Sequence, residues 1–263
     1  HRLRARRSAL GLPIREVSKH LDFTANYYSA VENGRTLLAP DKLELLCQRF
    51  EFSPAEAAEL QALRDLAREP RWTSEFDRVI TPELAQFYGL EYGAAKVRSY
   101  EGSIIPGMLQ THDYALALIR DDPELPGAWA QRRFELRQRR RQRLYGDDPL
   151  QFSVLMGQTA ITQEIGGRSV LRNQVLKLAD YIEQIPTLDL RIVPFTASPR
   201  GMVNASTVHL LEFATVHLPV LGWREAVTPV GITDDSDMVD LLEVNFARAA
   251  ESALSREDTL ALL

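Results

Sequence analysis

Few side chains in this sequence combine useful chemistry with useful spacing, and Asn26 stands first among them. Its carboxamide offers a donor and an acceptor side by side, the pattern that pairs bidentately with the adenine edge in the DNA major groove. Thr24 and Tyr27 beside it carry hydroxyls, and Ser29 and Asn33 follow at helical spacing. Such hydroxyls, together with backbone N–H groups at a helix start, bind phosphate oxygens. Arg4, Arg7 and Arg15 upstream and Arg35 downstream add cations suited to the same backbone, and Ala25 offers a methyl to thymine. The set predicts a face that reads double-stranded DNA.

Nothing comparable points to catalysis. His209 and His217 lie eight residues apart in strand-like sequence with no cysteine or matched carboxylate, so they read as structural or surface residues. No Gly-rich phosphate loop with a lysine, G-x-S-x-G or H-E-x-x-H occurs. Gly166-Gly167 is a turn signal only. The expectation is a protein that is not an enzyme and uses no cofactor or metal.

The DNA-reading set needs a scaffold, and residues 1–70 read as five short helices. Leu3, Arg7 and Leu10 give one face of the first, which Gly11 ends by supplying a left-handed C′ residue. Pro13 opens the second, in a first turn where its missing N–H costs nothing. Leu21-Asp22-Phe23 makes a tight turn, Thr24 caps the third helix, and Asn33-Gly34 stops it. Ser18 is the small residue where two helices cross, with Val17, Leu21, Tyr28 and Val31 as core; Ala25, Asn26, Tyr27, Ser29 and Ala30 then face outward. The fourth helix aligns Leu43, Leu46, Cys47 and Phe50, which makes Cys47 a buried hydrophobe. Ser53-Pro54-Ala55-Glu56 is a capping box before a stripe of Leu60, Leu63, Leu66 and Ala67.

The stretch from Gly11 to Arg35 resembles the Cro/CI-type (XRE-type) helix-turn-helix, matching it at Gly11, Leu12, Glu16, Leu21, Ser29, Glu32, Gly34 and Arg35. The resemblance implies that the third helix enters the major groove, usually as part of a homodimer on paired half-sites. Ile14 departs from the family's DNA-touching glutamine and Asp22 from its turn glycine. Ala25 and Ala30 stand where polar readers often sit. Direct readout therefore falls mainly on Asn26.

Arg68-Glu69-Pro70 marks a boundary, and 71–263 reads as a larger α+β regulatory domain, helical first and then mixed. Helices are expected over about 74–92, 111–120, 127–144, 169–185, 236–250 and 256–263. Period-2 patterns predict strands at Gln151–Met156, Leu188–Phe195, Thr207–Phe213 and Val220–Val227. Ile105 to Ala115 resembles the V-P-G-L-L-Q-T-x-x-Y-A signature of WhiJ-like, antitoxin-like regulators of actinobacteria, as do Val193-Pro194-Phe195 and the segment from Ala253 to Leu260. That likeness implies regulation of development, of secondary metabolism or of a paired small protein encoded nearby, without implying a particular ligand. Gln158 stands where that family's glutamate is expected.

Two surfaces of this domain have open readings. Met108 and Gln110 next to Pro106-Gly107, with Trp223 and Glu225 on a strand, could line an effector pocket or form a packed junction and a surface charge pair. Arg133, Arg137, Arg140 and Arg141 share helical spacing, with Glu135 available to Arg139. They read as a solvated face, a phosphate contact, or a seat for a small acidic protein. Two functions stand: a transcriptional regulator with a small-molecule or protein sensor domain, and an antitoxin-like module whose DNA binding is autoregulatory.

Charge supports the first domain as the DNA reader. The whole chain carries −5, but residues 1–40 balance to +4, 41–70 to −3 and 71–263 to −6. No apolar run is long enough to span a bilayer, and no apolar stretch follows the N-terminal arginines as in a secretory signal. With a single cysteine, these features predict a cytoplasmic protein without a membrane role.

Overall fold

The computed structural model describes residues 2–34, 36–68, 71–120, 129–197, 207–215, 218–225 and 231–263. Arg35, Glu69, Pro70, Gly127, His217, Val227 and the side chain of Leu66, all used in the sequence reading, lie outside the described residues. The chain falls into two compact units, His1–Trp72 and Thr73–Leu263.

The first unit consists of α1 (Arg2–Ala9), α2 (Ile14–His20), α3 (Ala25–Glu32), α4 (Pro40–Arg49) and α5 (Pro54–Leu66). The punctuation residues act as expected. Gly11 takes φ +66, and the Leu12 N–H reaches back to the Arg7 carbonyl at 3.1 Å, closing α1. Ser53 and Glu56 form the reciprocal capping box of α5. Pro13 sits just before α2 rather than within its first turn. Val17, Leu21, Tyr28, Val31, Leu43, Leu46, Cys47, Phe50 and Leu60 make one buried cluster, and burial pushes the Cys47 thiol up. The α5 stripe is the exception. Leu63 is 48% exposed and Ala67 is exposed. The inward face of α5 runs through Ala57, Leu60, Gln61 and Arg64: Ala57 packs on the core, Gln61 donates to the Pro40 carbonyl, and Arg64 donates to that of Leu38. Leu63 lies off that face.

In the second unit, a 3-10 turn at Ser74–Phe76 and α6 (Pro82–Gly93) replace the continuous helix expected over 74–92, because Pro82 starts a new helix at its first position. Then come β1 (Lys96–Glu101), α7 (His112–Arg120), α8 (Ala130–Arg141), β2 (Gln151–Gly157) and α9 (Arg168–Gln184). β3 (Leu188–Val193), β4 (Thr207–Glu212), β5 (Leu221–Glu225), β6 (Gly231–Thr233), α10 (Ser236–Ser252) and α11 (Arg256–Leu262) complete it. The six strands form one mixed sheet in the order β3-β2-β1-β4-β5-β6. β1, β2 and β3 are parallel; β4, β5 and β6 add antiparallel beyond β1.

Apolar side chains cover both faces of the sheet. Val97, Phe152, Val154 and Trp223 join Phe87 of α6, Tyr114 of α7 and Leu178 of α9 in one cluster. Tyr100, Leu155, Val208 and Leu210 pack against Val239, Leu242 and Phe246 of α10 in another. Gly222 on β5 lets α10 approach this closely, since a Cβ there would lie 2.8 Å from Leu242 Cδ1. Among the described residues, no helix is long and apolar enough to cross a membrane.

Candidate nucleic-acid interface and ligand pocket

The candidate reading face of the first unit is set by the turn between α2 and α3. Asp22 adopts φ 57, the left-handed conformation usually left to glycine, and the Phe23 N–H closes the turn on the Ser18 carbonyl at 2.8 Å. Ser18 is buried with its hydroxyl on the Ile14 carbonyl, so two helices cross there without an unpaired polar group. Thr24 then caps α3 by accepting from the Tyr27 N–H at 3.1 Å. Thr24, Ala25 and Asn26 are exposed on the first turn of α3, and Arg15 is exposed on α2. Tyr27 is half-buried against Phe23, with ring centroids 4.7 Å apart. Ala30, expected to face outward, is also only half-exposed.

Other residues of the expected set are held within the unit. Arg7 forms a two-point ion pair with Glu32, whose side chain is only 2% exposed, and also donates to the Leu12 carbonyl at 2.8 Å. The Glu32 carboxylate correspondingly raises the Arg7 guanidinium. Arg4 donates to the Asn33 carboxamide, and Asn33 itself donates to the Ser29 carbonyl at 2.8 Å. Arg4, Arg7, Ser29 and Asn33 thus brace α1 and α3 instead of presenting free groups. Arg2 pairs with Glu59, and Arg6 binds the Phe50 and Glu51 carbonyls. The sequence reading passed over Lys19, which is exposed on α2 four residues after Arg15. That i,i+4 spacing beside the turn was the available signal.

In the second unit, a cavity of about 320 Å³ opens beside the end of β1. This is where the strand direction switches, since β2 runs parallel to β1 and β4 antiparallel. Met108, Gln110 and Glu225 line this cavity together, as one sequence reading required. Trp223 does not line it. Its indole is fully buried, stacked on Phe87 at 4.9 Å, so it supports the wall from behind.

The sequence reading missed the floor and one wall. Glu101, the last residue of β1, is buried and accepts hydrogen bonds from the hydroxyls of Ser99 (3.1 Å) and Thr207 (2.8 Å). Burial pushes its carboxyl up to about 8, with the two hydroxyls and Arg140 opposing the rise. His209, expected to be structural or superficial, is buried in the cavity wall, with Nε2 3.8 Å from Glu101 and its ring stacked on Phe87. Burial, aided by the Arg140 charge, lowers it to about 3, so the imidazole is neutral. At the mouth, Glu225 is exposed by area yet close enough to protein that desolvation raises it, against Arg140, Trp223, Arg137 and Arg133.

Several arginines of α8 point into the unit, while Gln131 and Arg139 remain exposed. Arg140 is buried with two 2.7 Å bonds to the Glu91 carboxylate and lies over the Tyr88 ring. Arg141 donates to the carbonyls of Met108 (2.6 Å) and Gln110, and Arg133 to that of Val79 at 2.8 Å. Arg137 binds the Gln110 Oε1 at 2.9 Å. The expected seat for an acidic partner, formed by Arg133, Arg137, Arg140 and Arg141, is therefore a clamp on the Pro106–Gln110 loop and its surroundings. Glu135 pairs with Arg132 at 2.8 Å, while Arg139 reaches Glu75. A Cβ on Gly107 would lie 3.1 Å from Arg140 Nη1, which suits glycine at the crossing. Gln158, on a 3-10 turn at Gln158–Ile161, uses its Oε1 to accept the Phe195 N–H at 2.8 Å. Among the described residues no cluster of His, Cys, Asp and Glu is arranged to hold a metal ion.

Two family models match the chain. Residues 1–60 match a model described as a helix-turn-helix domain. Residues 84–263, more than half of the chain, match one described as a domain of unknown function, DUF5753. No curated protein and no solved structure matches.

Proposed function

The chain belongs to the DUF5753 family, and from that premise, with a helix-turn-helix domain preceding it, we propose a sequence-specific transcriptional regulator whose second unit senses a small molecule. The observation that carries the DNA half is Asn26, exposed on the first turn of α3 beside the Thr24 cap and close in sequence to exposed Arg15 and Lys19. A helix presented this way enters the major groove by its N-terminal end, and the carboxamide reads adenine. Arg15 and Lys19 supply the non-specific attraction to phosphate. The regulator acts as a homodimer on paired half-sites.

The cavity favours a sensor over an antitoxin-like role. It is lined by buried polar groups, whereas Arg140 and Arg141, two of the arginines that suggested an acidic protein partner, are held by the Glu91 carboxylate and the Met108 carbonyl. The test is fluorescence anisotropy with DNA from upstream of the protein's own gene and with scrambled DNA, over a salt series. Asn26→Ala is expected to weaken specific binding by about 5–150-fold, the equivalent of about 1–3 kcal/mol, and to leave scrambled-DNA binding unchanged. Equal losses on both DNAs would show that α3 does not read bases through Asn26. Wild-type binding that ignores both sequence and salt would remove the regulator reading.

A further inference from the structure

Arg137 is the cation of the cavity wall whose charge is least compensated. Arg140 is matched by Glu91 through two short hydrogen bonds. Arg137 instead meets neutral acceptors, the Gln110 carboxamide and the Arg133 carbonyl at 3.2 Å. Among the described residues, no carboxylate lies within ion-pairing distance of it. A guanidinium has five N–H donors, and these two contacts use Nε and Nη1. Burial, with the neighbouring Arg140 and Arg133 charges, lowers it to about 10 although Tyr88 and the Glu225 carboxylate act the other way, and it still keeps its proton at neutral pH. A cation held this way, with donors to spare at a cavity, is suited to an anion brought from outside.

The remaining walls narrow the class. Phe87, Tyr88, Ile105, Met108 and Phe152 offer flat apolar surface. The Glu101 carboxyl is already hydrogen-bonded by Ser99 and Thr207, and burial suppresses its charge, so it makes a poor counter-ion for an amine. His209 is neutral. With Arg140 bound to Glu91, Arg137 is, among the described residues that line the cavity, the cation held by neutral acceptors alone, and its single charge matches a carboxylate better than a phosphate dianion.

We propose that this cavity binds a small carboxylic acid with a flat apolar body, whose carboxylate pairs with Arg137 while its ring lies against the aromatic wall. The proposal rests on the sensor half of the function proposed above, and its test separates the two. Thermal unfolding of the full chain would be followed with millimolar phenylacetate, 4-hydroxybenzoate and indole-3-acetate. Phenylacetamide, phenethylamine and inorganic phosphate serve as comparisons. Calorimetric titration would follow on whichever compound shifts the transition.

At least one carboxylate should stabilise the protein, and its amide should not. Arg137→Gln should lower carboxylate affinity about 10-fold or more, the scale of a lost charge-assisted hydrogen bond. Glu225→Gln, at the mouth, should raise it by removing a like charge, a gain that misfolding cannot imitate. Stabilisation by no carboxylate, equal stabilisation by the amide, or preference for the amine or phosphate would each overturn the proposal. Operator binding measured on the same protein is a separate readout. Its loss alone would refute the DNA half while leaving the pocket standing.

Discussion

Replacing Glu101 with glutamine should straighten the alkaline side of the protein's stability profile. In the folded chain the Glu101 carboxyl sits at about 8 because burial penalises its charged form; in the unfolded chain it returns to about 4.5. Between those values the folded state holds a proton that the unfolded state has released, so stability falls as pH rises. At about 1.4 kcal/mol per pH unit the full penalty reaches about 5 kcal/mol above pH 8. His209 acts with the opposite sign. Its folded value of about 3 lies below the usual 6.5, so its contribution is present above pH 6.5 and is lost as pH falls toward 3. The two slopes cancel where they overlap, from about 4.5 to 6.5, and leave a plateau. From pH 6.5 to 8 only Glu101 acts, and the wild type should lose about 2 kcal/mol. A unit of this size converts that into about 4–8 °C in Tm. The carboxamide introduced by Glu101→Gln can still accept from one hydroxyl and donate to the other, so the geometry survives. Differential scanning calorimetry of both proteins from pH 4 to 9 gives the result. A difference between them that widens steadily above pH 4.5 is expected. Parallel profiles would mean that Glu101 is ionised in the folded protein and that the burial argument is wrong.

Three further outcomes follow from other parts of the fold. Asp22→Gly should stabilise the first unit by up to about 1 kcal/mol, because glycine takes the φ of 57 without steric cost, and thermal unfolding reads the gain. Glu32→Ala should cost about 3–5 kcal/mol by leaving Arg7 without its buried partner, so urea unfolding should move to a clearly lower midpoint. Gly157→Ala should lower the melting temperature of the second unit by the cost of an overpacked contact, about 1–3 kcal/mol, since its Cβ would lie 2.5 Å from the Gly102 carbonyl oxygen.

What could be read from the sequence depended on where polar residues sit. The first unit was legible because its glycines, caps and apolar spacings all point the same way; even the departure at Asp22 lands on a left-handed residue. β2, β3, β4 and β5 announced themselves by alternation. β1 did not, because its inward positions include Ser99 and Glu101 where the pattern calls for hydrophobes. The groups that build the cavity floor are the ones that erase the strand signal. β6, three residues long, is too short to show a period. Net charge concealed the role of α8 in the same way. A run of arginines resembles a solvated face until the acceptors are known, and those are carbonyls and a carboxylate distant in sequence, from Val79 to Gln110. The cavity residues Met108, Gln110 and Glu225 were found from local composition, whereas Arg137 and His209 acquire meaning only when the sheet brings them to one place.

The position of β1 also sets an order of assembly. It is made before every strand it joins, yet both its neighbours come later: β2 begins at Gln151 and β4 at Thr207. A chain emerging from the ribosome can complete the five helices of the first unit from contacts within its first 72 residues. The sheet must wait, since pairings so distant in sequence have their loop-closure entropy to overcome before they return any stability. During that interval β1 has two open edges and an acidic residue that has not yet met Thr207. Docking of β4 closes one edge and supplies that hydroxyl in the same event. The cavity, lined by Thr207, His209 and Glu225, therefore takes shape only once β4 and β5 have docked, and a chain stopped short of Thr207 would hold the helix-turn-helix unit without it.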